Sequence, residues 1–504
     1  MSEALPKLKS RLEDIHSLNK INALLDWDLQ TQMPPGGANA RAQQIGVVSK
    51  LSHELFTATE TGQLLDAAAG ETQGASYDSN DASLLRVARR DYDKASKLPT
   101  ELVTEMSRVT TLAHSVWAKA RADNDFKSFA PTLEQILALK IRAAEYLGYT
   151  DHIYDAMLDD YEPGLKTSDV ATMFEDLRKD LVPLVKAINE RVSAVDDTVL
   201  HQDFDEVTQR TFAEMVITQF GYDFNRGRQD KAVHPFETSF SRDDVRITTR
   251  FDPKWINPAM FGTFHETGHA MYEQNVGADL EGTILCSGTS LGIHESQSRL
   301  WENLIGRSRG FWKHFFPILQ SCFPAQLGSV DQETFYRAIN KVEPSFIRVE
   351  ADEATYNLHI MLRFELEADL MARKIKVSDL PEAWNAKSKE YLGIVPPTDS
   401  LGVLQDVHWS MGLLGYFPTY SMGTILSAQL FDKAVAQYPT IPAEIEQGKF
   451  DTLLSWLREN IHKHGRKYEP KELVQRATGE ALQARSYMKY LKTKYGEIYG
   501  ITVE

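Results

Sequence analysis

Apolar residues recur at helical spacing along most of this chain, and that repeat constrains the fold more than any other feature of the sequence. The first run places apolar side chains at Leu8, Leu12, Ile15, Leu18, Ile21, Leu24 and Leu25. Positions three or four apart share one face of an α-helix, which can pack on a core. The same spacing predicts helices at about 38–56, 83–124, 130–147, 168–194, 290–305, 350–373 and 381–391. We therefore expect a mainly α fold.

Residues 234–252 show a different pattern, in which Thr, Phe, Val and Ile alternate around Arg242-Asp243-Asp244. Such alternation is typical of a half-buried strand, and the polar triplet suits a turn. Strand-like segments are rare elsewhere in the chain. We therefore expect one short antiparallel hairpin, which would serve the motif that follows it directly.

The composition is that of an ordinary globular protein, and no convincing linker divides residues 1–504. A net charge of −16 argues against nucleic acid as the main partner. Two cysteines, Cys286 and Cys322, are too few for a disulfide framework and favour a reducing compartment. The chain lacks a signal-peptide core at its start and an apolar run of the roughly 18 residues that suggest a membrane span. These features predict a single cytoplasmic unit with no membrane partner.

The motif His265-Glu266-Thr267-Gly268-His269 lies in one of the predicted helices, between Asn257 as its N-cap and Gly277 at its end. Residues i and i+4 share a helix face, so His265 and His269 can both aim a ring nitrogen at one point. A carboxylate at Glu266 could reach a water bound there, which is the minimum for metal-assisted hydrolysis.

Gly268 costs about 1 kcal/mol relative to alanine inside a helix. We therefore expect another backbone to lie close to it, with the hairpin as the candidate.

A catalytic zinc site needs a third protein ligand and keeps water in its fourth position. Glu295 is the candidate, 26 residues after His269, with His294 as the competitor. Adjacent residues on a helix point about 100° apart, so only one of the two should face the metal. Two imidazoles and a carboxylate suit zinc, although cobalt or manganese would fit the same ligands.

Six segments of the chain resemble the motifs of the Taq-type metallocarboxypeptidases, peptidase family M32. The general sequence pattern is most similar to that of the trypanosomatid members of the family. The matching segments are Trp27–Pro34, Asp244–Thr248, His265–His269, His294–Arg299, Ile347–Asp352 and Gly402–Trp409. The resemblance implies one helical, saddle-shaped domain over 1–504, with a deep cleft and a small antiparallel sheet beside the metal. Residues 1–230 would form a cleft wall and lid, and 231–504 the metal helices and remaining cleft. Members of the family are typically homodimers.

The resemblance implies that His265, His269 and Glu295 are metal ligands and that Glu266 is the general base acting on the metal-bound water. Glu273 and Glu302 lie one or two turns from ligands. Both could orient the histidines by accepting a hydrogen bond, although ordinary surface salt bridges would explain them as well.

His408 and Tyr420 are twelve residues apart, and the resemblance implies that they stabilise the oxyanion of the tetrahedral intermediate. Tyr416 competes with Tyr420 and is otherwise a candidate for substrate binding. A hydrogen-bonded pair in the cleft wall is the alternative for both residues.

A carboxypeptidase must recognise a free terminal carboxylate, and the planar fork of arginine can bind one bidentately. Arg348 is the first choice, and the alternative is an arginine paired with Glu350 or Asp352. Arg246, in the hairpin motif, is the second choice. The hairpin itself would offer backbone groups to an extended peptide.

The sequence thus predicts a metal-dependent carboxypeptidase that acts on peptides. The alternatives are an oligopeptidase or dipeptidyl-carboxypeptidase with the same metal chemistry, and a silent peptide-binding protein. The intact Glu266 argues against the last alternative, because a silent protein would have no use for the base.

Overall fold

The computed structural model describes residues 3–502, and the predicted mainly helical architecture is confirmed. The first helices are α1 Ala4–Thr31, α2 Ala38–Thr57, α3 Thr59–Glu71, α4 Asn80–Lys97, α5 Thr100–Asp123, α6 Phe126–Leu147, α7 Asp155–Leu158, α8 Thr167–Asn189 and α9 Glu206–Phe220. After a small sheet follow α10 Asn257–Gln274, α11 Leu291–Arg299, α12 Arg309–Cys322, α13 Pro324–Leu327, α14 Gln332–Ile339, α15 Tyr356–Met371 and α16 Leu380–Leu392. The chain ends with α17 Pro418–Gln437, α18 Ile441–Ile445, α19 Asp451–Asn460, α20 Pro470–Thr478 and α21 Arg485–Tyr499. No helix between residues 3 and 502 is long and apolar enough to cross a membrane.

The chain divides into two compact units, each assembled from three stretches. Unit 1 takes the chain up to Ser96, Asp197–Ile339 and Leu430–Ala481, and unit 2 takes Lys97–Asp196, Asn340–Gln429 and the chain from Leu482 onward. Each unit draws residues from both sides of position 230, and the single domain over 1–504 stays a prediction.

The sheet of unit 1 has three strands, β1 Gln229–Lys231, β2 Glu237–Ser241 and β3 Asp244–Thr249, in the order β1-β3-β2. The predicted antiparallel hairpin is confirmed as β2 and β3, whereas the parallel strand β1 was not predicted. A strand of three residues is too short to show an alternating pattern. Hydrogen bonds join the sheet to α10, from Thr249 Oγ1 to the Ala259 carbonyl (3.2 Å) and from Gln229 Nε2 to Thr263 Oγ1 (2.7 Å). The sheet therefore lies directly beside the motif helix.

Proline and aspartate explain two differences from the predicted helices. The helix expected over 83–124 is two helices, because Pro99 separates α4 from α5 and disfavours helical geometry in the residue before it. The helix expected from 350 begins only at Tyr356. The carboxylate of Asp352 accepts the backbone N–H groups of Ala354 (2.9 Å) and Thr355 (3.0 Å), which favours a turn before the helix.

Aromatic side chains hold α10 in the core of unit 1. The ring centroid of Phe220 lies 4.6 Å from Trp301, 5.3 Å from Phe264 and 4.9 Å from Phe450. Phe264 directly precedes the first motif histidine, and it has no exposed surface. Aromatic pairs at these distances each contribute about 0.5–1.5 kcal/mol beyond the burial of their area. The motif is thus built on a rigid, packed helix.

Candidate metal centre

Helix α10 carries the motif, and its ends differ slightly from the prediction. Asn257 is the first helical residue and Ile256 precedes it as the cap, so Asn257 is not the N-cap. Pro258 lies in the first turn, where its missing N–H costs no hydrogen bond. The helix ends at Gln274, three residues before Gly277.

Gly268 lets a second helix touch α10. A Cβ atom at this position would lie 2.5 Å from the carbonyl oxygen of Gln297 and 2.6 Å from the Cα atom of Ser298. Both atoms belong to α11, so the prediction that the hairpin approaches Gly268 is wrong. The physical reason is that α11 must come close to α10 if its own carboxylate is to meet the motif histidines.

His265, His269 and Glu295 converge on one point. The Nε2 atoms of the two histidines each lie 3.4 Å from Oε2 of Glu295, and the three atoms all lie within 4.8 Å of one another. Ligands about 2.0–2.1 Å from a tetrahedral ion stand roughly 3.3 Å apart, so this spacing suits such an ion. Of the two candidates for the third ligand, the structure directs Glu295 toward the histidines.

The other ring nitrogen of His265 contacts a carboxylate. His265 Nδ1 lies 2.9 Å from Oε2 of Glu302, which belongs to a π-helical turn, Leu300–Ile305, that continues α11. Burial opposes ionisation of Glu302, but Arg299 and His265 lower its pKa to about 2. The predicted contact of Glu302 with a motif histidine is therefore confirmed, and it leaves Nε2 to face the convergence point.

Both carboxylate oxygens of Glu295 accept hydrogen bonds from side chains of α11. Arg299 Nε donates to Oε1 at 2.7 Å, while Ser298 Oγ donates to Oε2 at 3.0 Å. Burial opposes its ionisation, but Arg299 and His265 hold the pKa of this carboxyl well below its ordinary value. Glu295 is therefore a charged and oriented oxygen donor.

His269 contacts a histidine instead of a carboxylate. Its Nδ1 atom lies 2.7 Å from Nδ1 of His294, whose Nε2 atom lies 2.8 Å from Oε1 of Glu273. The prediction that Glu273 could orient a histidine is thus borne out at His294, and not at a motif histidine.

Glu266 is buried in α10 beside these groups. Burial, with added repulsion from Glu295 and Glu302, raises the pKa of its carboxyl to about 7, against the attraction of His265. A carboxyl with a pKa near neutrality can both accept and return a proton. We define His265, Glu266, His269, Glu295 and Glu302, with Arg299 and Arg307, as the histidine–glutamate cluster.

A second buried charged cluster lies in unit 2. Arg348 Nε donates to Oδ1 of Asp406 at 2.9 Å, and Arg363 Nε donates to Oδ2 at 2.7 Å. The alternative that Arg348 pairs with Glu350 or Asp352 is wrong, since its ion pair is with Asp406. We define Arg348, Arg363 and Asp406 as the arginine cluster.

The arginine cluster carries more positive than negative charge. Arg363 has no exposed surface and Arg348 only 5% of its surface, yet they share the single carboxylate of Asp406. An unbalanced buried charge is costly, so this arrangement favours an anionic ligand. The sequence argument missed Arg363 and Asp406. A signal for Arg363 was available, because an arginine inside the apolar helix α15 must be paired.

His408, Tyr416 and Tyr420 lie together in unit 2, as expected. His408 Nε2 is 3.4 Å from the Tyr420 hydroxyl, and the Tyr416 ring lies 5.4 Å from His408 and 5.3 Å from Tyr420. The guanidinium of Arg348 lies over the Tyr420 ring at 5.2 Å. The structure thus joins the predicted oxyanion residues to the arginine cluster.

Arg246 belongs to unit 1 and is already engaged. Its Nε and Nη2 atoms each donate to a different oxygen of Asp244 at 2.8 Å. Its guanidinium also lies over the rings of Trp27 (4.3 Å) and Phe240 (4.8 Å). The charge of Arg246 is therefore already balanced by a carboxylate two residues away.

Comparison with known proteins extends these observations to the whole chain. A family model described as carboxypeptidase Taq (M32) metallopeptidase matches residues 7–495. Carboxypeptidase 1 of Bacillus subtilis (strain 168) is 39% identical over 488 residues, which cover 97% of this chain and 97% of that protein. The crystal structure of the M32 carboxypeptidase from Deinococcus radiodurans R1 superposes with a TM-score of 0.96 at 43% identity, covering 99% of this chain and 100% of that chain.

A trypanosomatid protein is also similar. Trypanosoma cruzi metallocarboxypeptidase 1 has a TM-score of 0.94 at 34% identity, over 98% of this chain and 99% of that chain. Its identity is lower than that of the Deinococcus protein. Both the family model and these relatives extend over nearly the full length, and the chain therefore belongs to the carboxypeptidase Taq (M32) family of metallopeptidases.

Proposed function

We propose that His265, His269 and Glu295 hold the divalent metal ion of this metallocarboxypeptidase, and that the ion is zinc. The observation that supports the proposal is the convergence of two imidazole nitrogens and one carboxylate oxygen at 3.4 Å. This donor set suits zinc, although cobalt or manganese would accept the same ligands. A tetrahedral ion would keep its fourth position for water or substrate.

Glu266 is the proposed general base. A bound divalent ion would lower the pKa of a coordinated water to about 7 and polarise the scissile carbonyl. Glu266 would accept the proton of the attacking water and return it to the leaving amine. Its position supports this assignment, because Glu266 is buried in α10 next to the proposed ligand His265.

Arg348 is the proposed binding residue for the terminal carboxylate of the peptide, and His408 and Tyr420 are the proposed donors to the oxyanion. The resemblance supplies these roles, and the excess positive charge of the arginine cluster supports the first. The contact of His408 with the Tyr420 hydroxyl agrees with a shared role for these two side chains. Tyr416 would then contact substrate.

Arg246 is the weaker candidate for the carboxylate. Asp244 already balances the charge of Arg246 with a bidentate ion pair, whereas Arg348 and Arg363 share one carboxylate. The proposed part of the hairpin is to offer backbone groups to an extended peptide.

We also propose a homodimer in the cytoplasm. The dimer follows from the resemblance. Both cysteines are free, with Cys286 buried, which agrees with a reducing compartment. Sedimentation of the purified protein at several concentrations tests the dimer, and a single species with the mass of one chain would contradict it.

End-group analysis tests the reaction. An N-blocked peptide should release its C-terminal residues one at a time, and removal of metal by a chelator should stop the release. The same peptide with a C-terminal amide is the matched control and should be cut far more slowly. Release of internal fragments or dipeptides would contradict the proposal.

A further inference from the structure

The two proposed histidine ligands are supported in different ways. His265 has a carboxylate at its second nitrogen, whereas His269 has the imidazole of His294 there, at 2.7 Å. A metal-binding histidine ordinarily donates its other N–H to a carboxylate, a backbone carbonyl or water. An imidazole can accept this hydrogen bond in only one of its neutral forms.

The positions of the protons follow from the geometry once His269 binds the metal through Nε2. If His269 offers the lone pair of Nε2, its proton is on Nδ1. That N–H can donate only to an unprotonated Nδ1 of His294, so the proton of His294 must be on Nε2. The Nε2–H group then donates to Glu273 Oε1, 2.8 Å away. Each ring nitrogen of His269 and His294 is therefore assigned as either a hydrogen-bond donor or a lone-pair donor in the series His269–His294–Glu273.

Glu273 is fixed at both oxygens. Oε1 also accepts the backbone N–H of Gly288 (2.7 Å) and Ser287 Oγ (3.2 Å), and Oε2 accepts Ser239 Oγ (3.2 Å). Ser239 lies in β2 and is bonded in turn by Nζ of Lys20, from α1. The series thus returns to α10 at Glu273, whose carboxylate is bonded to β2 and to the loop that contains Gly288.

The ring of His294 is held on its faces as well. The Tyr272 ring packs against it with centroids 5.0 Å apart. A Cβ atom at Gly288 would overlap the Cδ2 atom of His294, so this glycine lets the loop pack directly on the ring. These contacts and the two hydrogen bonds of its nitrogens restrain the orientation of the ring.

We propose that His294 and Glu273 are positioning residues, which fix the tautomer and the direction of the His269 ring and so raise the affinity of the site for its metal. The inference rests on the proposed ligand set, in which His269 binds through Nε2. His294 was the alternative candidate for the third metal ligand. The proposal gives this residue a different function at the same site.

The test measures zinc affinity by chelator competition, apart from turnover. His294→Leu removes the acceptor and should weaken zinc binding about 10–100-fold. In His294→Asn the side-chain oxygen can replace Nδ1 as acceptor, so this variant should retain most of the affinity. His462→Asn is the matched control, because His462 also packs on Tyr272, at 5.2 Å, but its Nε2 contacts Gln297. This control should bind zinc as the wild type does.

A double variant tests whether His294 and Glu273 act in series. Glu273→Ala should weaken zinc binding, and adding it to His294→Leu should cause little further loss, because the path is already broken. Fully additive losses would overturn the series.

His269→Leu separates the two proposals. Wild-type zinc affinity in this variant would overturn the ligand set itself. Loss of zinc there, together with wild-type affinity in His294→Leu, would overturn only the positioning role. If His294→Leu does not fold, ¹⁵N spectra of the histidines in the zinc-loaded wild type decide. A proton on Nε2 of His294 supports the inference, and a proton on Nδ1 overturns it.

Discussion

The histidine–glutamate cluster of unit 1 and the arginine cluster of unit 2 are both buried and charged, but they present different groups to a ligand. In the first, two imidazole nitrogens and one carboxylate oxygen converge, and these are ligand atoms for a metal cation. In the second, two guanidiniums share Asp406. Since an unbalanced buried charge is costly, the second cluster favours an anion, whereas the ligand atoms of the first suit a cation. A carboxypeptidase needs both, a metal cation and a peptide carboxylate.

The largest expected effect tests the carboxylates of unit 1. Glu266→Gln keeps the shape of the side chain but removes the base, so kcat should fall about 10²–10⁴-fold while zinc affinity is retained. Steady-state kinetics and metal analysis of the same preparation measure both. Glu60→Gln, an exposed carboxylate on α3, is the control and should leave kcat unchanged. Turnover at the wild-type rate in Glu266→Gln would remove the proposed base.

The next effect tests the pairing in unit 2. Asp406→Asn leaves two buried guanidiniums without their carboxylate, so the free energy of unfolding should fall by about 3–5 kcal/mol. Urea unfolding at neutral pH measures it. Asp123→Asn, which removes an exposed ion pair with Lys119, should cost at most about 1 kcal/mol. Equal losses of unfolding free energy in the two variants would show that the buried ion pairs of Asp406 stabilise the fold no more than an exposed ion pair does.

The stability difference between wild type and Asp406→Asn should depend on pH. Burial opposes ionisation of Asp406, but Arg363 and Arg348 hold its pKa well below the ordinary 3.8. The folded protein therefore binds fewer protons than the unfolded chain, so the stabilisation is present above pH 3.8 and is lost as the pH falls below it. The difference in stability between wild type and Asp406→Asn should shrink below that pH. A constant difference would contradict the assignment.

The smallest effect tests helix packing at the histidine–glutamate cluster. Helix propensity alone would make Gly268→Ala stabilising by about 1 kcal/mol. The close approach of α11 reverses this sign, and we expect a net loss of about 1–3 kcal/mol with weaker zinc binding. Gly262→Ala, in the same helix, would meet no atom closer than 3.6 Å and should be neutral or stabilising. If both alanines stabilise the protein, the contact of α11 with α10 does not limit the site.

The histidine–glutamate cluster could be predicted because its geometry is mostly local. The spacing of His265 and His269 fixes their common face, and Glu295 needs only the assumption that the next helix packs alongside. What could not be predicted was the side from which a backbone reaches Gly268. Nor does spacing show that His269 has His294 as its neighbour, since that depends on how the two helices are rotated against each other.

The arginine cluster could be predicted only in part. Arg348 was selected for its family motif, but its partner Asp406 is 58 positions away along the chain. Near neighbours such as Glu350 and Asp352 compete in any sequence argument, and the path of the loop decides among them. The carboxylate of Asp352 instead accepts backbone amides before α15, which leaves Arg348 to Asp406.

Metal affinity and KM, measured together on Glu295→Gln and Arg348→Met, test most directly whether the two clusters divide cation and carboxylate binding between them. Glu295→Gln should lose zinc affinity. Arg348→Met should keep one zinc ion per chain. Its KM for a free-acid peptide should rise about 10–100-fold, which corresponds to the loss of a hydrogen bond to a charged group, about 1.5–3 kcal/mol. A wild-type KM in Arg348→Met, or wild-type zinc affinity in Glu295→Gln, would contradict the account.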